Sequence, residues 1–382
     1  MSWAPSASVS SWRVHSDDCM KNTVGTSVQL TVFGESHGPA VGVVLDGLAP
    51  GVPVDEAFVA SWLSRRRPSG RTDTARAEKD EFRILSGVHE GHTTGTPLTI
   101  VIPNTDVRRS DYSATEDIAR PSHADFSAQM KYHGFQDRSG GGHFSGRVTA
   151  GIVAAGAICL KALEIRGIAV GTHILSCGGV SDIPFSDDCA GQIRSLEGKS
   201  FPVLSDVGTA MKEKIEAAGA CGDSIGGVIQ TAVSGMPAGV GEPWFDSLEG
   251  VISRAVFAIG GIKGIEFGRG FAFGSLRGSE ANDAFRMRDG RVVTLTNNSG
   301  GINGGISNGM PIVFDMAVRP TPSISIRQQS VDYVRGADAE LQIRGRHDPA
   351  IVRRICPVVT CMTAVVLCDQ LALRFGTDWL AP

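Results

Sequence analysis

The chain has 382 residues, of which 42% are hydrophobic and 20% charged, so it can bury one large core or two interleaved halves. Its formal net charge of −4 excludes a protein that is basic overall and binds nucleic acid, although a local basic cluster can still bind a small anion. The apolar runs fall short of the roughly 18 residues of a membrane span, which predicts a cytoplasmic protein without membrane contact. We expect residues 1–25 to be a disordered or variable extension and 26–382 to be a single domain.

The predicted elements begin with two short strands, 28–33 and 41–48, on either side of a GESHG turn. Asp55 is expected to cap a helix that ends at the arginines 65–67. A hairpin is predicted from segments 82–88 and 97–103. Further helices follow at 147–165, at 207–218 with an end at Gly219, and at 355–374.

Two segments share a pattern that indicates internal duplication. Residues 37–54 and 223–240 both contain a glycine turn, a β-branched strand and a Pro/Gly turn, and they lead into the predicted helices 55–67 and 244–258. Because strand-turn-helix units are common, coincidence is the alternative explanation. A true duplication implies two related half-domains that share one core.

Two histidines lie in turns where a catalytic role is plausible. His37 stands between glycines and two strands, so its ring can face a cleft. His123 follows a proline, and either Ser122 or Asp125 can orient its ring. An ordinary surface histidine remains the alternative at both positions.

The charged motifs predict an anion site. Three consecutive arginines, 65–67, end the first helix, and Arg71 follows a Pro/Gly break. Arginine favours phosphate and carboxylate because its planar fork makes paired hydrogen bonds, although a solvated helix end is the alternative. Asp348 is either a surface partner of Arg346 or a base beside a cofactor.

Three further segments predict backbone that closes around a ligand. Glycines at 140–142 run into the helix at 147–165, as in an anion cradle, but the segment lacks the spacing of a P-loop. Residues 297–309 consist of Asn, Gly, Ser and Ile, a costly loop unless it folds around something. The segment 319–324 adds a cation and hydroxyl groups.

Taken together, these segments resemble the chorismate synthase family from about residue 25 to about 372. The motifs that carry the resemblance are GESHG (34–38), RRRP (65–68), SHAD (122–125), GGGHFSGR (140–147), KGIEFG (263–268), RGSEAND (277–283), NNSGGINGGISNG (297–309) and GRHDP (345–349). The resemblance implies an α+β fold with helices sandwiched between antiparallel sheets, a homotetramer, and one reduced FMN per subunit, with NADPH as a possible reductant. It also implies the 1,4-elimination of phosphate from 5-enolpyruvylshikimate 3-phosphate to give chorismate, in the biosynthesis of aromatic amino acids.

The resemblance also implies roles for individual residues. His37 would help the phosphate leave, His123 would face the flavin near N1, and Asp348 would assist removal of the C6 proton. Arg66 and Arg71 would bind substrate or NADPH. The flavin would contact His143, Phe144, Ser145, Gly260, Gly261, Gly304, Arg319, Pro320, Thr321, Pro322, Ser323 and Arg346. The chain departs from the common family pattern at 143–144, at 260–261, and at Arg319, where lysine is usual.

Two other functions fit parts of the sequence. A metallohydrolase would use His89, His92, His123 with Asp125, and His347 with Asp348, although no HExxH motif is present. A protein that binds a phosphorylated anion without catalysis is the third possibility. If the chain is a member of the chorismate synthase family, as the resemblance implies, no metal is expected.

Overall fold

The structure is a computed structural model, and it describes residues 22–68, 70–73, 79–105, 117–186, 188–343 and 348–382. The helices are α1 (Glu56–Arg66), α2 (Asp125–Lys131), α3 (Thr149–Ile165), α4 (Cys189–Ser195), α5 (Gly208–Ala220), α6 (Leu248–Phe257), α7 (Gly278–Ala281) and α8 (Val352–Phe375). Short 3₁₀ turns lie at Gly70–Thr72, Ser139–Phe144, Gly146–Val148, Trp244–Asp246, Gly270–Ser275 and Thr377–Leu380.

The strands form two five-stranded antiparallel sheets and several small hairpins. In chain order they are β1 (Thr23–Val24), β2 (Gln29–Gly34), β3 (Ala40–Asp46), β4 (Arg83–Ser86), β5 (Val88–His89), β6 (His92–Thr93), β7 (Leu98–Pro103), β8 (Ala169–Cys177), β9 (Val180–Ser181), β10 (Gly227–Ser234), β11 (Ile262–Phe267), β12 (Phe285–Arg288), β13 (Arg291–Thr294), β14 (Ile302–Asn303), β15 (Ile306–Ser307), β16 (Ile312–Val318), β17 (Gln328–Asp332) and β18 (Ala337–Leu341). The first sheet has the order β1-β2-β3-β7-β4, and the second has the order β11-β16-β10-β8-β9.

The long helices α3 and α8 pack against each other between the two sheets. α3 contacts β3 and β7 of the first sheet, whereas α8 contacts β8 and β10 of the second. Close approach depends on small residues, since a Cβ atom at Gly156 would lie 2.3 Å from the Cβ of Cys361. The predicted α+β fold, with helices sandwiched between antiparallel sheets, is confirmed.

Two core segments, Gly146–Ile165 and Val352–Phe375, are long and apolar enough to cross a membrane. The most apolar 18-residue stretch is mostly buried in the first segment and fully buried in the second, as expected for core helices, and the last turn of the second is exposed. The carboxylate of Asp369, in α8, accepts the backbone N–H groups of Thr26, Ser27 and Val28 at 2.6–3.0 Å. This contact holds the start of β2 on α8 and so fixes the turn that follows β2.

The predicted elements agree with the structure apart from their ends. Asp55 caps α1 by accepting a hydrogen bond from the Phe58 N–H. α5 continues one residue beyond the predicted stop at Gly219, and the left-handed residue is Gly222 instead. The predicted helix at 244 begins only at Leu248, because a 3₁₀ turn precedes it and Ser247 is its cap.

The two segments of the predicted duplication occupy matching places. β3 is the central strand of the first sheet and β10 is the central strand of the second. Each is followed by a helix, α1 or α6, that contacts α8. Strand Thr23–Val24 already pairs with β2, so the first sheet begins two residues before position 25.

Candidate active site

The GESHG turn connects β2 to β3 and is held by one side chain from the next strand of the sheet. The amide of Asn104, just after β7, donates to the carbonyl oxygens of Glu35 and Gly38 at 2.9 and 2.8 Å. His37 is only 3% exposed, and its Nδ1 lies 2.9 Å from the hydroxyl of Ser36. The turn therefore presents an oriented, buried imidazole instead of a mobile surface ring.

The glycine loop 140–142 lies directly against both candidate histidines. All three glycines have φ between 51° and 101°, a region that favours glycine. A Cβ atom at Gly140 would lie 2.1 Å from Cε1 of His37, and one at Gly141 would lie 3.3 Å from Cε1 of His123. The loop is tied to the GESHG turn by a 3.0 Å bond from Ser36 N to Gly142 O. The structure thus brings His37 and His123 to one glycine loop.

His123 is oriented by a carboxylate at the start of α2. Its Nδ1 lies 2.7 Å from Asp125 Oδ1, and Arg120 makes a two-pronged contact with the same carboxylate at 2.6 and 2.8 Å. Burial alone raises the pKa of Asp125, but hydrogen bonds from Arg120 and His123 outweigh it and hold that pKa well below its usual range. An ionised Asp125 accepts a hydrogen bond from the Nδ1–H group of His123. The other ring nitrogen, Nε2, is then available to a ligand. The predicted orienting role of Asp125 is confirmed.

A buried cluster of two arginines and one aspartate lies beside the GESHG turn. Arg66 Nη1 donates to Asp80 Oδ2 at 2.9 Å, and Arg147 Nη1 makes a short contact with the other carboxylate oxygen. Arg147 Nε also donates to Asn104 Oδ1 at 2.9 Å, so the amide that holds the turn also holds the cluster. The two arginines and Asp80 carry a net formal charge of +1, and Arg67 Nε lies 3.9 Å from Asp80 Oδ2 as a further cation, which favours an anion.

Burial sets the electrostatics of this cluster. Desolvation lowers the pKa of Arg66 to about 10, although Asp80 opposes the shift, so the guanidinium is still charged at neutral pH. Burial also raises the pKa of Asp80, but Arg66 and Arg147 more than compensate and lower it overall. Arg66 and Asp80 are therefore both ionised in a site of low solvent exposure, where charge interactions are strong.

The first turn of α8 fixes the end of α1 by donating to its carbonyl groups. Arg353 donates to the carbonyls of Arg65 and Arg67, and Arg354 Nε donates to Arg66 O at 2.8 Å. Arg354 also makes a short contact with Asp348. Asp348 is thereby connected to the arginine-rich end of α1.

The predicted flavin-contact segment 319–323 lies next to the loop that carries His123. Arg319 Nη1 donates to the carbonyl of Ser122 at 2.7 Å, and Arg319 N donates to Gly261 O at 2.9 Å. Ser122 adopts a left-handed φ of 60°, which turns its carbonyl towards Arg319. Pro320, Pro322 and the buried Ser323 continue the same segment.

Other predicted contact residues are placed more loosely. His143 bonds to the Gly34 carbonyl at 2.8 Å, and Ser145 caps the turn at Gly146–Val148. Phe144 is 44% exposed and packs edge-on against Tyr132. Gly304 lies in the β14–β15 hairpin, and no hydrogen bond among the described residues joins it to the two histidines.

Several predicted residues fall outside the description. Arg346 and His347 belong to the undescribed segment 344–347, and for Arg71 only the backbone, in the turn Gly70–Thr72, is described. Within the described ranges no three His, Cys, Asp or Glu side chains are grouped to hold a metal ion. His89 and His92 are exposed and pair with each other across the β5–β6 hairpin.

Sequence reasoning missed the residues that support the site. Asp80, Asn104, Arg120, Arg147 and Arg354 were not selected. Arg147 had one available signal, because it follows the glycine loop directly at the start of a helix. Asp80 had none, since it reaches Arg66 and Arg147 only through the fold.

This fold, with the buried His37, the half-buried His123 and buried arginines grouped at glycine turns, defines an α+β enzyme with a small-molecule site. A family model described as chorismate synthase matches residues 28–372. The chain belongs to the chorismate synthase family, whose members are lyases of aromatic biosynthesis.

Individual relatives agree with the family match over nearly the full length. A chorismate synthase from Methanocella arvoryzae is 44% identical over 353 residues, which cover 92% of this chain and 94% of the relative. One from Opitutus terrae is 47% identical over 360 residues, covering 92% and 96%. A solved structure, "Crystal Structure of Chorismate Synthase", superposes with a TM-score of 0.74 at 27% identity, covering 92% of this chain and 94% of the other.

Proposed function

We propose that this protein eliminates phosphate from 5-enolpyruvylshikimate 3-phosphate in a 1,4 sense, to give chorismate, with reduced FMN bound. The observation that carries the proposal is the glycine loop 140–142, which places His37 and His123 on one site beside the Arg66–Asp80–Arg147 cluster. An elimination of this kind needs cations for the anionic substrate and proton donors at fixed positions. The site offers both.

The arginine cluster would bind the anionic groups of the substrate. The substrate carries two carboxylates and a phosphate, and the cluster is a buried positive site beside His37. Arg66 and Arg71 would bind substrate or NADPH, as the family resemblance implies. Charge-assisted hydrogen bonds in a desolvated site hold such groups firmly in place.

His37 would donate a proton to the departing phosphate. Ser36 fixes the ring through Nδ1, so the opposite nitrogen, Nε2, is the one that would meet the phosphate. Asp348 would accept the C6 proton, or orient the group that removes it. Its contact with Arg354, which also holds the Arg66 carbonyl, ties this carboxylate to the substrate cluster.

The described residues fit a flavin. The hydroxyl of Thr321 is buried without a hydrogen-bond partner, and a Cβ atom at Gly260 or Gly304 would meet no other atom within 4 Å. His123, Phe144, Arg319 and the segment 320–323 would hold the ring and phosphate of FMN. Bound reduced FMN supplies the electron-rich ring that side chains lack. His123 Nε2 would hydrogen-bond that ring near N1.

The finer biological setting is also proposed. The family resemblance favours a homotetramer in the cytoplasm, with NADPH as a possible reductant. Exposed aromatic side chains such as Trp244, Phe245 and Phe271, at 85–94% exposure, are suited to contacts between subunits.

The test is an anaerobic assay of the purified full chain with 5-enolpyruvylshikimate 3-phosphate. We expect phosphate and chorismate in equal amounts when dithionite-reduced FMN is present, and neither product with oxidised FMN. A parallel reaction with NADPH in place of dithionite tests whether the protein reduces its own flavin. Phosphate release without flavin, or bound zinc at one per chain, would favour the metallohydrolase alternative and overturn the proposal.

A further inference from the structure

A cavity of about 500 Å³ lies between α1, the end of α3, β8, α4 and the start of α8. Neither His37, His123, Asp348 nor the flavin-contact segment 319–323 lines it. Its volume is within the usual range of small-molecule sites, roughly 300–1,000 Å³. The mechanism proposed above makes no use of this space.

The charges around the cavity are unbalanced in favour of cations. Five cations and two carboxylates line it: Arg65, Lys161, Arg194, Lys199, Arg353, Glu164 and Glu197. Lys161 is paired with Glu164 at 2.7 Å, and Arg353 is paired with Asp73, outside the lining. Three cations then face Glu197 alone, so the cavity favours a ligand with a negative charge.

Two side chains in the cavity wall, Arg65 and Trp62, have hydrogen-bond donors with which a bound carboxylate would pair. The guanidinium of Arg65 stacks on the Trp62 ring at 4.0 Å, and no described carboxylate lies within 4 Å of it. Burial lowers the pKa of Arg65 from its ordinary value. The indole N–H of Trp62 is buried and has no acceptor in the described part of the chain. An unmet buried donor is a cost that a bound acceptor removes.

Most of the remaining wall is apolar and formed by branched or ring side chains. Ile168 directly precedes β8 and Val170 lies at its start, Ile193 lies in α4 and Leu196 directly follows it, and Pro357 comes from α8. Flat, apolar groups bury well against such walls, and each buried Å² contributes about 25 cal/mol. The cavity therefore combines an apolar interior with cations at one side.

We propose that this cavity binds a small aromatic carboxylate. The ring would lie against Ile193, Leu196 and Pro357, and the carboxylate would bind Arg65 and accept from the Trp62 indole. Arg194 is exposed at the rim and would supply a second cation. The proposal concerns binding alone and does not rest on the proposed reaction.

Isothermal titration of the full chain with indole-3-propanoate tests the proposal. Its primary amide removes the charge, and hexanoate removes the ring. We expect one carboxylate bound per chain, with the amide and hexanoate each at least tenfold weaker. Arg65→Gln should weaken indole-3-propanoate about tenfold or more, because one charge-assisted contact is lost. Arg83→Gln, an exposed arginine of β4 outside the cavity, is the matched control and should keep wild-type affinity.

Three results would overturn the proposal: no binding to the wild type, equal affinity for the acid and its amide, or wild-type affinity in Arg65→Gln. Equal affinity for hexanoate would overturn the aromatic specificity. If Arg65→Gln lowers the melting temperature strongly, Arg194→Gln takes its place, since that side chain is exposed. Its failure to weaken binding would then count against the proposal.

Discussion

Each of the two large sheets has a buried polar cluster beside it or within it. The net shift of the carboxylate pKa is opposite in the two clusters, lower for Asp80 and higher for Asp315. Near the first sheet, Asp80 lies between the guanidinium groups of Arg66 and Arg147, and its pKa is lowered. In the second sheet, Asp315 of β16 accepts a hydrogen bond from the Gln230 amide at 2.7 Å, with Glu266 nearby. Burial raises the pKa of Asp315 to about 6, and Glu266 adds to the shift.

The comparison shows that burial alone does not decide ionisation. Both carboxylates lose solvent, which favours the neutral acid, but only Asp80 has cations within contact distance. Asp80, which stays ionised, lies beside the GESHG turn, where an anionic substrate would bind. The second cluster behaves as a structural part of a sheet, with His173 held neutral by desolvation, which lowers its pKa.

The largest effect is expected when the ionised cluster loses its carboxylate. Asp80→Ala leaves Arg66 and Arg147 buried together without their counterion. Breaking a buried ion pair in this way costs about 3–5 kcal/mol, which urea unfolding measures directly. Asp206→Ala, an exposed aspartate, is the control and should change stability by less than about 0.5 kcal/mol. If Asp80→Ala lowers the free energy of unfolding by less than about 1 kcal/mol, the cluster contributes no more than a solvent-exposed ion pair.

Asp315→Asn should change the free energy of unfolding less than Asp80→Ala does. Its effect should depend on pH in the direction opposite to that of a group such as Asp80, whose pKa is lowered. Because the folded pKa of Asp315 is raised to about 6, its stabilising contribution is present below about pH 4 and is lost as the pH rises through 6. The stability of the wild type relative to Asp315→Asn should therefore fall by on the order of 2 kcal/mol from pH 4 to pH 7.

Urea unfolding of both proteins at several pH values measures this difference. Asp338→Asn, an exposed aspartate of β18, is the matched control and should show no such trend. If the difference between wild type and Asp315→Asn stays constant from pH 4 to pH 7, Asp315 is not perturbed and the contrast between the clusters fails.

Asp125→Asn should have the smallest effect on stability, because this carboxylate is part-exposed although it has a cationic partner. Its lowered pKa means that the contribution is present above about pH 4 and disappears as the pH falls. We expect a loss of about 1 kcal/mol at pH 7 and a smaller loss near pH 2, since the contribution disappears only as the pH falls through the lowered folded pKa. Equal losses at both pH values would show that the role of Asp125 is packing and not charge.

The sequence predicted local geometry well and long-range contacts poorly. Asp55 as a cap, both histidine turns and the orienting Asp125 depend on neighbours within five residues, and all three could be predicted. Asp80 has no local signal, because its partners Arg66 and Arg147 reach it only when α1, β7 and α3 are assembled. The side chains that fix the end of α1 come from α8, nearly 290 positions later.

The internal duplication could be predicted from the sequence only in part. The repeated glycine, strand and turn pattern predicted two related halves, and β3 and β10 do occupy the centres of two antiparallel sheets. The pattern could not predict that only one sheet would be accompanied by an ionised arginine cluster. That difference depends on single residues, Asp80 against Asp315, whose partners are set by packing.

The most direct test of the central claim is single-turnover phosphate release by His37→Ala, under anaerobic conditions with reduced FMN. His37 lies against the glycine loop 140–142, and we propose it as the proton donor to the leaving phosphate. Its removal should slow release by roughly 100- to 10,000-fold, with FMN affinity and melting temperature close to wild type. Phosphate release at the wild-type rate would contradict the assignment of this loop as the site of elimination.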